Sequence, residues 1–96
     1  MPYILDILKV KELAKWKAGF DSEDGNAMRK IAGMKSYQIF HIEEDPNNLL
    51  ILCEFDNLDT ARKFVQSDEL RKASQQSGVI EVSDTYFLEE VEKGSV

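Results

Sequence analysis

The sequence has few of the residues that build covalent or metal-held structures. Cys53 is its only cysteine and His41 its only histidine, so one chain can form neither an internal disulfide nor a cysteine-based or multi-histidine metal cage. We expect Cys53, inside the apolar stretch LLILCEF, to be a buried and unreactive thiol. No metal or other cofactor is predicted, because the chain has no glycine-rich phosphate loop and no motif that supports axial haem ligation by His41.

Basic residues and long apolar runs are also scarce. The chain has 12 basic against 18 acidic residues and a net charge of −6, which disfavours binding to a phosphate backbone or an anionic membrane surface. No segment approaches the ~20 apolar residues of a membrane span, and the first ten residues lack the cationic start of a secretion signal. We therefore expect a cytoplasmic protein that binds neither nucleic acid nor membrane.

The hydrophobic spacing predicts one α+β domain over residues 1–91 and a frayed tail over 92–96. The predicted strands are YILDILKV, KSYQIFHI, NLLILCEFD and VIEVSDTYFLEEV, and the helical segments are KELAKWKAGF, NAMRKIAG, NLDTARKFVQ and SDELRKASQQSG. In NAMRKIAG, we expect Ala27, Met28 and Ile31 to face inward. The order βαββαβ is ferredoxin-like, and right-handed crossovers give a four-stranded antiparallel sheet of order 4-1-3-2 with the helices on one face.

The sheet face without helices is also predicted to be apolar. Alternation along the two central strands places apolar side chains on both of their faces, and a monomer rarely leaves so continuous an apolar patch in water. We expect this helix-free face to be a homodimer interface. The residues assigned to it are Ile4, Asp6, Leu8, Leu50, Leu52 and Glu54.

Segments along nearly the whole chain resemble a known family. They are VKELAKWKAGFD, RKIAG, DPNNLLILCEFD, LDTARKFVQSDEL and YFLEEV. The sequence resembles the small dimeric α/β-barrel proteins of the antibiotic-biosynthesis-monooxygenase type, in particular uncharacterised cyclase-like members. The resemblance implies that two sheets pair face to face into a barrel. It implies little about activity, since the superfamily includes cofactor-free oxygenases of quinol-like substrates, haem degraders and members without an assigned reaction.

Five residues are candidates for a small-molecule site between helices and sheet: Trp16, Phe20, Tyr37, His41 and Tyr86. Trp16 has helical spacing with Leu13 and Phe20, which favours a core anchor; the alternative is an aromatic pocket wall whose indole N–H orients a ligand. For His41, a surface or hydrogen-bonded histidine is favoured over a catalytic base.

Asp6 and Glu54 are candidates for an acidic pair inside the dimer. Each could instead pair with a basic residue at the rim, which is the commoner arrangement; a shared site would raise one pKa and suit proton transfer.

Two functions remain open. The favoured one is a small homodimer without an assigned reaction that binds an aromatic or apolar small molecule, or only a protein partner. The alternative is a cofactor-independent monooxygenase acting on an electron-rich phenol or quinol.

Overall fold

The computed structural model describes residues 1–96 and contains four strands and four helices. They are β1 Pro2–Val10, α1 Leu13–Phe20, α2 Glu23–Ile31, β2 Met34–Ile42, β3 Asp45–Phe55, α3 Leu58–Gln66, α4 Asp68–Ser77 and β4 Val79–Glu89. Residues 90–96 have no regular secondary structure. No helix combines the length and the apolar character needed to cross a bilayer.

The strands form one antiparallel sheet in the order β2-β3-β1-β4, which confirms the predicted topology and the ferredoxin-like α+β fold. The core lies between this sheet and the helices. Phe55 on β3 and Phe64 on α3 are both buried, with ring centroids 5.6 Å apart. The complete buried apolar cluster is Ile4, Leu8, Val10, Trp16, Leu49, Ile51, Cys53, Phe55, Ala61 and Phe64.

The register of β1 against β3 corrects the predicted composition of the helix-free face. Ile4 pairs with Cys53 and Leu8 pairs with Leu49, and all four side chains are buried under the helices. Because directly opposed residues point to the same side of a sheet, Ile4 and Leu8 lie on the covered face, and their assignment to the helix-free face was wrong. Leu50 and Leu52 do lie on the helix-free face. Its apolar residues are Tyr3, Leu5, Ile7, Phe40, Leu50, Leu52, Tyr86 and Leu88.

The joint between α1 and α2 is shorter than the sequence predicts. Only Asp21 and Ser22 separate the helices, and the Ser22 Oγ caps α2 by accepting a hydrogen bond from the Gly25 N–H at 3.1 Å. A Cβ at Gly25 would lie 2.9 Å from the Phe20 carbonyl oxygen, so glycine permits this close approach. The covered face of α2 also differs from the prediction: Ala27 and Ile31 are exposed, not inward-facing, and Arg29 is buried.

Side chains cap the starts of α3 and α4, and a glycine ends α4. The Asn57 side chain accepts a hydrogen bond from the Thr60 N–H at 2.8 Å, and the Ser67 Oγ accepts one from the Leu70 N–H. Gly78 closes α4 at φ +85°, in the left-handed region that favours glycine. The β2–β3 turn is tighter than expected, since only Glu43 and Glu44 separate the strands.

Candidate functional site

Three of the five candidate ligand-binding residues form an aromatic row on the covered face of the sheet. Trp16 and Phe20 are four residues apart on α1, so their rings lie on one helix face with centroids 5.0 Å apart. Tyr37 reaches them from β2 and meets Phe20 edge-on, with centroids 4.9 Å apart. The row runs outward from the core, because Trp16 is 4% exposed and Tyr37 is 43% exposed.

Arg29 of α2 lies against the middle and outer rings of this row. Its guanidinium carbon lies 3.7 Å from the Phe20 ring centroid and 5.5 Å from that of Tyr37. Its Nη2 donates a hydrogen bond of 2.6 Å to the Phe20 carbonyl oxygen, at the end of α1. Burial lowers the pKa of Arg29, and electrostatic interactions with Tyr37, Asp21 and Cys53 oppose this effect. The side chain stays cationic, since arginine is not deprotonated in proteins.

A groove of about 420 Å³ lies beside Arg29, between α2 and β2; we call it the α2–β2 groove. Its volume is within the range of ~300–1,000 Å³ that is typical of small-molecule sites. Its lining residues are Asn26, Arg29, Lys30, Met34, Lys35, Ser36 and Tyr37. Tyr37 therefore belongs both to the aromatic row and to the wall of an open groove.

His41 and Tyr86 lie away from this site. His41 is exposed on β2, four residues beyond Tyr37 and therefore about 13 Å further along the strand. Its Nδ1 lies 3.0 Å from the Ile42 carbonyl oxygen, which is the hydrogen-bonded surface position favoured from the sequence. Tyr86 pairs with Leu5 and lies on the helix-free face, on the opposite side of the sheet.

The proposed acidic pair is not formed. Asp6 pairs with Ile51 on the covered face, whereas Glu54 pairs with Tyr3 on the helix-free face, so the two carboxylates lie on opposite sides of the sheet. Glu54 accepts hydrogen bonds from the Ser36 Oγ at 3.0 Å and from the Tyr3 Oη at 3.4 Å. The prediction failed because both faces of these strands are apolar, which leaves the facing of each strand ambiguous. No group of three or more histidine, cysteine or acidic residues is placed to hold a metal ion.

Solved structures match this architecture over almost its whole length. A proposed antibiotic biosynthesis monooxygenase of Bordetella bronchiseptica matches with a TM-score of 0.76 and 14% identity over 95% of this chain and 97% of that one. The chain has the antibiotic biosynthesis monooxygenase fold. A second such protein, from Deinococcus radiodurans, shares this fold with a TM-score of 0.73 and 17% identity over 100% of this chain and 98% of that one.

SnoaB, a cofactor-independent oxygenase from Streptomyces nogalater, has the same antibiotic biosynthesis monooxygenase fold. Its TM-score is 0.75 at 10% identity, over 96% of this chain and 94% of SnoaB. No protein-family model and no curated protein matches the sequence. Identities of this size establish the shared fold of these chains, and the chemistry of each must be argued from its own residues.

Arg29, which this antibiotic biosynthesis monooxygenase fold places beside the groove, is not among the site residues predicted from the sequence. An arginine is seldom buried unless it is paired, so its residue type points to the surface, whereas Arg29 is 6% exposed. The capping serine Ser22 shows that α2 begins at Glu23, but the start of a helix does not show which of its faces is covered. Asn26, Lys30 and Lys35, which also line the α2–β2 groove, give no sequence signal of their own.

Cys53 provides a first prediction. Its side chain is 4% exposed, and burial raises the pKa of its thiol to about 12, with a further contribution from the charge of Asp6. Because the thiolate is the reactive form, we expect a thiol reagent to label Cys53 slowly in the native protein and rapidly in denaturant. A Ser95→Cys variant supplies an exposed control thiol, which should react at once while Cys53 does not. Equal rates for both thiols would contradict burial.

Asp6 provides a second prediction, on pH dependence. Burial raises its pKa above the usual value, although the Thr85 Oγ1 donates it a hydrogen bond of 2.8 Å that acts in the opposite direction. The folded state thus holds the Asp6 proton more tightly than the unfolded chain does. Ionisation of Asp6 therefore lowers the free energy of unfolding as the pH rises from the Asp6 pKa of the unfolded chain through the higher pKa of the folded protein. We expect Asp6→Asn to match wild type below about pH 4 and to be more stable at pH 7.

Urea unfolding of both proteins across this pH range measures the difference directly. The control is Glu43→Gln in the exposed β2–β3 turn, which should follow wild type at every pH. If Asp6→Asn were less stable than wild type at pH 7, the ionised carboxylate would be stabilising and the stated effect of burial would be wrong.

Proposed function

We propose that this protein is a homodimer that binds a small aromatic molecule in the α2–β2 groove. The observation that carries the proposal is the position of Tyr37. Its ring continues the row of Trp16 and Phe20 on one side and lines the groove on the other, where 43% of the residue is open to solvent. An incoming ring can stack or pack edge-on against Tyr37 without any rearrangement of the core.

The rigidity of this wall supports binding. Tyr37 is held by the edge-on contact with Phe20 and by the pairing of β2 with Cys53 on β3. Arg29 joins the end of α1 to α2 through its hydrogen bond to the Phe20 carbonyl oxygen. A site whose walls are already ordered loses little conformational entropy when a ligand binds.

The test is a titration with 1-naphthol, a neutral aromatic probe, followed by the emission of Trp16 and by amide NMR shifts. We expect the largest shifts at the groove residues and weaker binding in Tyr37→Ala. His41→Ala is the matched control, since it removes a candidate ring on the same strand outside the groove. Shifts confined to the helix-free face, or equal binding by Tyr37→Ala and wild type, would contradict the proposal.

The homodimer is the second part of this proposal, and it uses the helix-free face. The helices cover only one side of the sheet, and the other side carries a continuous set of apolar side chains around Leu5, Leu50 and Leu52. At its margins Phe40 and Tyr86 are 50% and 48% exposed in the single chain. A second copy provides an identical apolar surface, which is the simplest cover for such a face.

A cytoplasmic location also stays a prediction.

A cofactor-independent oxygenase is the alternative function, and the structural likeness to SnoaB favours it. The chain offers Tyr37 beside the groove as a substrate-orienting group, but His41 and Tyr86 lie elsewhere. We therefore expect no oxygen consumption with a hydroquinone above the rate of its own autoxidation. Rapid uptake that is lost in Tyr37→Phe would favour the oxygenase over simple binding.

A further inference from the structure

Arg29 is a buried cation without a carboxylate partner. It is 6% exposed, and it takes part in none of the four ion pairs of the molecule, which join Lys17 to Asp21, Lys35 to Asp56, Arg62 to Asp59 and Arg71 to Asp68. Buried charged groups are normally paired, because the loss of hydration is otherwise uncompensated. The contacts with Phe20 and Tyr37 are with aromatic rings and supply no anionic partner.

The guanidinium is also held in a fixed position, and most of its N–H donors make no hydrogen bond within the protein. It has five N–H donors, and its one protein hydrogen bond is that from Nη2 to the Phe20 carbonyl oxygen. The Phe20 ring covers it at 3.7 Å. Since Arg29 lines the α2–β2 groove, its free donors are available to a group bound there.

The groove is basic in an acidic protein. Its lining includes Arg29, Lys30 and Lys35 and contains no carboxylate, although the chain as a whole has a net charge of −6. Lys35 is already paired with Asp56 at 3.2 Å, whereas Lys30 has no ion-pair partner. Asp21, whose charge acts on Arg29 from a distance, is itself paired with Lys17. Arg29 and Lys30 thus leave the groove with uncompensated positive charge.

We infer that the α2–β2 groove selects aromatic carboxylic acids, with the carboxylate bound by Arg29 and Lys30 and the ring packed on Tyr37. This inference rests on the proposed function and names its ligand class. The planar fork of an arginine matches a carboxylate in geometry. Arg29 and Lys30 lie in the last turn of α2, whose carbonyl end carries partial negative charge, so a singly charged carboxylate suits the site better than a doubly charged phosphate.

The experiment compares four probes by NMR titration: benzoate, benzyl alcohol, acetate and inorganic phosphate. We expect benzoate to bind at least about tenfold more tightly than benzyl alcohol, as charge-assisted hydrogen bonds allow. Equal binding of benzoate and benzyl alcohol would overturn the inference and leave the aromatic site of the proposed function standing. Acetate binding as tightly as benzoate would overturn the aromatic part, and phosphate binding more tightly than benzoate would overturn the assignment to carboxylates.

Two variants locate the binding charges. Lys30→Gln changes an exposed side chain and should fold normally while weakening benzoate binding about two- to fivefold. Arg29→Gln should weaken benzoate binding about tenfold or more. If this variant does not fold, Lys30→Gln and the comparison of the four probes still test the inference. The control is Lys72→Gln on the exposed side of α4, outside the groove. Unchanged benzoate binding in Lys30→Gln, or an equal loss in Lys72→Gln, would overturn the inference.

Discussion

Replacing Trp16 with alanine is expected to lower the free energy of unfolding by about 3–5 kcal/mol, because the substitution leaves a cavity beneath α1. Trp16 is 4% exposed and belongs to the buried cluster that contains Ile4 and Phe55. Domains of this kind are stable by only about 5–15 kcal/mol, so the variant should unfold at a much lower urea concentration or fail to fold. Urea unfolding followed by far-ultraviolet circular dichroism measures the change without relying on tryptophan emission.

Ile31→Ala is the matched control for this experiment. It also shortens an apolar side chain on a helix, but Ile31 is 87% exposed, so the expected loss is below about 0.5 kcal/mol. If Trp16→Ala lowered the free energy of unfolding as little as Ile31→Ala does, open space would already adjoin the indole. That result would support the alternative in which Trp16 is a pocket wall.

Replacing Leu52 with aspartate is expected to abolish the proposed dimer. Leu52 pairs with Leu5 and with Gln38 at the middle of the helix-free face, so the substitution places one unpaired carboxylate from each copy in the interface. Desolvation of such a charge costs several kcal/mol per ion, on the order of 3 kcal/mol or more. Light scattering should report a dimer for wild type, and a monomer or unfolded chain for Leu52→Asp.

The control for the dimer is Ile31→Asp, which adds the same charge on α2, on the helical side of the sheet. It should leave the mass of wild type unchanged. A wild-type chain that is folded and monomeric across the concentration range would disprove the homodimer. A Leu52→Asp variant that remains dimeric would move the interface to another face.

The topology could be predicted from the sequence because each element has a clear local signal. Strand and helix periods alternate, Asn57 and Ser67 cap the helices they precede, and Gly78 ends α4 with a positive φ. The facing of the central strands could not be predicted, because Ile4 and Leu5 are equally apolar and only the pairing with Cys53 and Leu52 distinguishes them.

The candidate site could be predicted only in part. The contact of Trp16 with Phe20 follows from helical spacing, and Tyr37 was named, but nothing local to Tyr37 shows that it meets α1. Arg29 became visible only in three dimensions, because its burial depends on the Phe20 ring and carbonyl of the preceding helix. His41 and Tyr86 were candidates on residue type alone, and they lie outside the aromatic row.

The central position of β1 affects how the chain reaches its native state. This strand precedes the other three along the chain, yet one of its two partners is β4, the last of them, with pairs such as Ile4 to Phe87. Such distant pairings raise the contact order and slow folding, since the loop entropy must be lost before the contacts form. During translation, the apolar β1 must therefore remain incompletely paired until Val79–Glu89 has emerged from the ribosome. While β1 is incompletely paired, its unpaired edge is open to aggregation and to chaperones.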